Sequence, residues 1–175
     1  MPGGDPLDAW VAGLTAEQTA ALRGHLPARL NRAAVMVPLV ERAEGLTVLL
    51  TQRASHLKNH PGQISFPGGR IEPHDAAPWE AAVRETWEEI GLAPGYASRV
   101  GYLRDHAVLT GYLITPVVAI VRPGFTLQLD RTEVDDVFEV PLEFVLDPAH
   151  HVPRTGAFAG HELLTHDIPS GERHI

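Results

Sequence analysis

A chain of 175 residues, 44% of them hydrophobic, is long enough to close a core of its own, and a single domain over 1–175 is the expectation. Its 22 acidic against 14 basic residues give a formal charge of −8, which weighs against nucleic acid or a membrane surface as partner, since both call for a positive field. The absence of cysteine excludes disulfides, thiolate zinc sites and cysteine nucleophiles, and a cytoplasmic location follows as the expectation, with no apolar run near the ~20 residues of a membrane span and no signal-peptide pattern at the N-terminus.

Residues 1–28 read as an N-terminal helical extension. Met1 to Asp5 are rich in Gly and Pro, Leu7, Trp10, Val11 and Leu14 have helical spacing, and Thr15 is placed to cap a short helix from Ala16 to about Arg23. Ala33 to Val40 and Leu46 to Gln52 are apolar, β-branched runs on either side of a turn-like ERAEG, and are predicted to pair as strands. Pro38 argues for an edge position or a bulge in the first. Arg53 to Ser65 is polar and aperiodic and reads as a loop leading into Phe66-Pro67-Gly68-Gly69, where two glycines let the backbone approach a ligand closely.

Pro78 suits the first helical position and Gly91 the position just past the end, so a helix is predicted over Pro78 to Ile90. Ala77 is a poor cap, and Asp75 is expected to cover for it. At ~100° per residue, Glu85, Glu88 and Glu89 share one edge of this helix, beside a core-facing stripe of Trp79, Ala82, Val83, Thr86 and Ile90. Neighbouring carboxylates repel, and a hard divalent cation such as Mg²⁺ relieves the repulsion through oxygen ligands. Further on, Tyr96 to Arg104, Tyr112 to Val121 and Glu133 to Val140 read as strands, Phe125 to Leu129 alternates weakly, and Pro141-Leu142 opens a short helix to about Leu146. The last 28 residues read as loop-like with scattered strand signals. Trp10, Trp79 and Trp87 are expected to be packing residues.

The stretch from Gly69 to Leu92 resembles the signature of the Nudix hydrolases: Gly, five residues, Glu, seven residues, Arg-Glu, an apolar residue, any residue, Glu-Glu, any residue, Gly, an apolar residue. Arg84-Glu85-Thr86-Trp87-Glu88-Glu89-Ile90-Gly91-Leu92 supplies its ending. Thr86 stands where an aliphatic residue is usual, one extra residue precedes Arg84, and Asp75 is the best match to the first acidic position. Upstream, Leu49 to Gly69 is similar to the motif of the coenzyme A pyrophosphatase branch: Leu-Leu-Thr, any residue, Arg or Thr, Ser or Ala, three residues, Arg, three residues, Gly, three residues, Phe-Pro-Gly-Gly. Lys58 replaces the usual second Arg. It keeps the charge and loses the planar fork that grips phosphate.

The resemblance implies an α/β/α sandwich with a mixed central sheet and hydrolysis of a nucleoside diphosphate linked to another group. For this branch the implied substrate is coenzyme A, giving 3′,5′-ADP and 4′-phosphopantetheine. It places Mg²⁺ or Mn²⁺ on Glu85, Glu88 and Glu89, with Glu88 or Glu89 also taking a proton from water and Arg84 orienting Glu88. Arg53, Lys58, Gly68 and Gly69 are the candidates for substrate phosphates. A further acid from a distant loop is expected among Glu133, Asp135, Asp136 and Glu139, with Glu133 favoured because it begins a strand; no role is assigned to His56, His60 or His74. The competing readings are a Nudix enzyme for ADP-ribose or another nucleotide derivative, and a non-catalytic nucleotide sensor, which would be expected to lack one of the three carboxylates. The family usually continues with an Ile-Trp-Gly segment and a final helix. The chain stops at Arg173-His174-Ile175, so the expectation is a truncated C-terminus whose missing helix leaves apolar sheet surface open to a homodimer contact.

Overall fold

The computed structural model describes residues 16–25, 30–108, 110–158 and 161–175. Helix α1 (Ala16–His25) forms where the sequence predicts it, while Leu7, Trp10, Val11, Leu14 and Thr15 lie outside the described residues.

The apolar run from Ala33 builds β1 (Asn31–Arg42), which turns through Ala43 and Glu44 into antiparallel β2 (Gly45–Arg53), Arg42 opposite Gly45. Along the other side of β1 runs β7 (Tyr112–Val121), parallel and in unbroken register from Asn31–Tyr112 to Val40–Val121. The β1–β2 pairing stops at Leu39–Val48, and the two strands then splay. The fork is filled by β3 (Ile64–Ser65) on β2 and β4 (Gly68–Arg70) on β1. Outside them, β5 (Ala97–Tyr102) and β6 (His106–Val108) pair with β7, and β8 (Val134–Pro141) pairs with β2. Among the described residues only the β1–β7 ladder of this sheet is parallel, so the sheet is mixed.

Period-two alternation decides what each face holds. Ala34, Met36, Val40, Leu49, Val117, Ala119 and Val121 face α2 (Pro78–Ile90), where Ala81, Ala82 and Ile90 complete the main core. Val48, Leu50 and Val140 face the other way, onto Leu142, Phe144 and Val145 of α3 (Leu142–Leu146) and onto Ile175. A helix on each face of a mixed sheet is the α/β/α arrangement that the resemblance implies.

Two expectations need correction, and one weak signal finds its explanation. Pro38 is not at an edge or in a bulge: β1 is central, and Pro38 sits opposite Ala119. Its missing N–H is harmless because it faces the fork, where the partner of β1 changes from β4 to β2; the Met36 N–H, two residues back, already donates to the Pro67 carbonyl at 2.9 Å. Phe125 to Leu129 forms no strand, yet Phe125, Leu127 and Leu129 pack on the main core, so the alternation reports packing without a ladder. The last 28 residues hold more strand than their scattered signals suggest. They include β9 (Val152–Phe158) and β10 (His161–Asp167), paired antiparallel, and β11 (Pro169–Ser170) with β12 (Arg173–His174). Their mixture of Gly, Thr, His and charged residues carries no clean apolar alternation to read.

Candidate active site

The helix α2 begins and ends at the predicted residues, Pro78 and Ile90, and the Gly91 N–H closes its last turn on the Trp87 carbonyl at 2.9 Å. Its amino end is not covered by Asp75. Ala77 has no side-chain cap, and the Ala76 N–H is taken by the Glu80 carboxylate at 2.6 Å. Thr86 tolerates the core position where an aliphatic residue is usual because its hydroxyl donates to the Ala82 carbonyl at 2.6 Å. Trp79 packs on the core as expected. Trp87 does not: it is 49% exposed, so its packing role is corrected.

Asp75 has a different task. Its side chain is 3% exposed and is gripped in two places by Arg84, Nε to Oδ1 at 3.2 Å and Nη2 to Oδ2 at 2.9 Å. The Glu72 N–H donates to it as well. The Arg84 guanidinium holds the Asp75 carboxyl below its usual range, against the opposing cost of burial. The rest of the guanidinium reaches the Arg70 carbonyl at 3.0 Å, Glu85 at 2.8 Å and Glu88 at 3.1 Å. The first acidic position of the signature is thus served by an aspartate, which fixes the arginine that in turn meets two of the three glutamates.

The three glutamates of α2 are graded in burial. Glu88 has a side chain 56% exposed, Glu85 is half-buried, and Glu89 is only 6% exposed. Glu89 accepts the Gly68 N–H at 3.0 Å. Burial pushes its carboxyl up to about 7, the charges of Glu133 and Glu85 push the same way, and Gly68 N–H and Arg53 resist. Glu85 is also raised, first by burial, with Glu88 and Glu133 adding to it and Arg84 opposing. The two glycines make this approach possible. Gly68 has φ +152°, and a Cβ there would collide with the Ala34 carbonyl; one on Gly69 would lie 2.5 Å from the Glu85 carboxylate.

Of the four acids considered on the far segment, three are engaged elsewhere. Asp135 accepts the Ser55 N–H, Asp136 pairs with Arg173, and Glu139 pairs with Arg42 and accepts from Thr47. Glu133 is the one whose charge acts on Glu85 and Glu89. It is delivered there because the chain after α2 is stitched to the helix end: Gln128 N–H donates to the Ile90 carbonyl and Asp130 N–H to the Glu89 carbonyl, and Glu133 follows in the next turn.

In the upstream motif, Leu49 and Leu50 are buried on opposite faces of β2, and the Thr51 hydroxyl donates to the Ser65 carbonyl at 3.0 Å. These three residues shape the fork and leave recognition to the polar residues after them. Arg53 is half-buried and close enough to act on Glu89, whereas Lys58 stands exposed farther along the loop. The residues Arg53, Gly68, Gly69, Glu85, Glu89 and Glu133 are therefore drawn together, with Arg84 and Glu88 on the outer side of the same helix.

All the donors here are carboxylate oxygens, and two of them are held above their ordinary range by burial and mutual repulsion. A donor set of that kind suits a hard divalent cation. Among the described residues no three acids or imidazoles already converge as a closed ligand ring, so the carboxylates are neighbours that a cation would draw in. No helix among the described residues is long and apolar enough to cross a membrane.

Residues 30–158 match the profile of the NUDIX domain, and the chain belongs to that family. A curated relative, the uncharacterized Nudix hydrolase NudL of Enterobacter sp. (strain 638), is 42% identical over 135 residues, which are 76% of this chain and 70% of that protein. The chain spans about two thirds of the length of the curated relatives it matches. Among solved structures, the Nudix hydrolase RenU of M. smegmatis has a TM-score of 0.56 at 24% identity, covering 66% of this chain and 73% of that one. A C. elegans Ap4A hydrolase in a binary complex has a TM-score of 0.54 at 22% identity, covering 63% and 80%. The likeness to both structures is one of fold.

Proposed function

We propose that this chain hydrolyses the pyrophosphate bond of coenzyme A, releasing 3′,5′-ADP and 4′-phosphopantetheine, with Mg²⁺ or Mn²⁺ held by Glu85, Glu88 and Glu89. The observation that carries the reading is the junction at the fork. The loop that resembles the coenzyme A motif ends at Gly68-Gly69, directly against the Glu85 and Glu89 carboxylates, with Arg53 from its first residue acting on Glu89.

Cleaving a phosphoanhydride requires its charge to be screened and a water to be aligned with the leaving oxygen. A bound cation would polarise phosphoryl oxygens and lower the pKa of a bound water. The protein's own groups do the rest. Arg84, locked by Asp75, restrains Glu85 and Glu88 so that their oxygens face the same space. Glu88, the exposed member, or Glu89 would accept the proton that water loses. Glu133 adds a fourth negative charge to the cation side, and Arg53 and Lys58 take the substrate's phosphates.

The test is product analysis after incubation with coenzyme A, ADP-ribose and nucleoside triphosphates, each with Mg²⁺ or Mn²⁺ and with chelator. Cation-dependent release of 3′,5′-ADP from coenzyme A is the expected result. Turnover of ADP-ribose in its place would keep the glutamate chemistry and discard the reading of the loop.

A further inference from the structure

We propose that Asp135 is a positioning residue that straps the loop between β2 and β3 onto β8, and so fixes where Arg53 and Lys58 present their charges. This rests on reading that loop as the substrate loop.

The argument begins with a break in register. β2 and β8 stay in step from Thr47–Pro141 to Gln52–Asp136, but the next pair is Arg53–Val134. Asp135 is the extra residue of a bulge. Bulges bend a strand and re-aim a side chain, and they gather beside active sites. Here the re-aimed carboxylate crosses to the loop, accepts the Ser55 N–H at 2.8 Å and takes a second bond from the Ser55 side chain. Next to it, the Ala54 N–H donates to the Glu133 carbonyl at 2.8 Å. The two residues that follow Arg53 are thus tied to the two that flank Val134.

The far end of the loop is closed mainly by backbone: Arg53 N–H donates to the Gln63 carbonyl at 2.9 Å and Gly62 N–H to the Arg53 carbonyl at 3.1 Å, with the Gln52 side chain adding a longer bond to the Gly62 carbonyl at 3.4 Å. His60, between these ends, has a left-handed φ of +53°, a conformation that a side chain adopts only when its surroundings hold it there. The backbone closure survives any side-chain substitution. The first turn, which carries Arg53 toward Glu89 and leads out to Lys58, depends on Asp135. The same strand segment also delivers Glu133, so a single bulge sets the loop and the fourth acid in register with each other.

If loss of the strap leaves the loop competent to bind for about a tenth of the time, the apparent affinity falls about tenfold with no change in the chemical step. The experiment compares Asp135→Ala and Asp135→Asn with wild type on coenzyme A, together with amide exchange at Ser55. Asp135→Ala should raise KM about tenfold, leave kcat within about twofold and speed exchange at Ser55. Asp135→Asn keeps an oxygen that can accept the Ser55 N–H and should recover most of both. A wild-type KM and wild-type Ser55 exchange in Asp135→Ala would overturn the proposal. So would an Asn variant as impaired as Ala, or a loss confined to kcat. Should the wild type turn over ADP-ribose and not coenzyme A, the substrate reading falls, and the same KM and kcat comparison on ADP-ribose judges the strap by itself.

Discussion

Two carboxylates beside α2 both withdraw their side chains from solvent, Glu89 much the more deeply, and end in opposite electrostatic states. Asp75, with its side chain 3% exposed, is held below its usual range by Arg84; Glu89, 6% exposed, is pushed up to about 7. Burial opposes the charged form of both. Asp75 meets a two-pronged guanidinium and a backbone N–H that more than offset it. Glu89 meets one N–H, the weaker pull of Arg53 and two further carboxylates. The Asp75 side of the helix is electrostatically complete as folded. The Glu89 side keeps its repulsion as folded, and under the proposed function a cation would relieve it, which would separate scaffold from reaction chemistry on a single helix.

The largest effect should come from the reactive side. Glu88→Gln removes an exposed charge without touching the core, so the protein should stay folded while turnover drops about 10²–10³-fold, the scale of losing one electrostatic stabiliser in an active site. Near-wild-type turnover of a folded Glu88→Gln protein would refute the assignment.

Stability against pH sharpens the comparison next. Glu89 binds its proton more tightly folded than unfolded, because its carboxyl is raised from the ordinary 4.5 to about 7. Its contribution to stability is therefore complete below about 4.5 and is lost as pH rises through about 7. At ~1.4 kcal/mol per pH unit this amounts to at most about 4 kcal/mol in protein stripped of divalent cations. Thermal melts in chelator from pH 4.5 to 8 should show the decline, Glu89→Gln should flatten it, and added Mg²⁺ should restore stability most at the high end. A decline of equal size in Glu89→Gln would assign it to another group.

Breaking the scaffold side should act on stability first. Asp75→Asn leaves Arg84 without its main anionic partner, a loss of about 2 kcal/mol for a charge-assisted pair in a partly buried setting, present at neutral pH and read as a fall in chemical-denaturation midpoint. Turnover should fall as well, through loosened Glu85 and Glu88. A variant that loses activity but no stability would mean that Asp75 belongs with the reactive group.

How much of this was legible in the sequence follows from the range of each interaction. Glu85, Glu88 and Glu89 declare themselves because a helix turns their spacing directly into a shared edge. The strands β1, β2 and β7 declare themselves by apolar runs. Pro38 misleads because propensity cannot see that β1 and β2 splay at that point. Asp75 was matched to the signature's first acidic position, but its partner Arg84 lies nine residues on, and which group it would satisfy depends on the turn between them. Glu133 was favoured for beginning a strand, but what separates it from Asp135, Asp136 and Glu139 is that Ser55, Arg173 and Arg42 engage the other three, and those contacts span 37 to 97 residues of sequence. Trp87 shows the reverse case. Its size suggests core, yet it lies on the outer side of α2, away from the stripe formed by Ala82, Thr86 and Ile90.

The smallest and most local change probes the seam between the two sides. Gly69 lies under Glu85, the one glutamate that both answers to Arg84 and acts on Glu89. A Cβ at Gly69 would sit 2.5 Å from the Glu85 carboxylate, and the Gly69 backbone needs no left-handed φ, so Gly69→Ala should displace the carboxylate and leave the strand intact. Because a side-chain end can swing aside, the stability change should stay within about 1 kcal/mol. The displaced oxygens should nonetheless weaken Mg²⁺ or Mn²⁺ about 10-fold, on the scale seen when the groups that orient metal ligands are removed. Titration calorimetry with Mn²⁺ alone reads this without any substrate. Unchanged affinity would mean that Glu85 holds no cation and serves only to steady Arg84, which would move it from the reactive side of the helix to the scaffold.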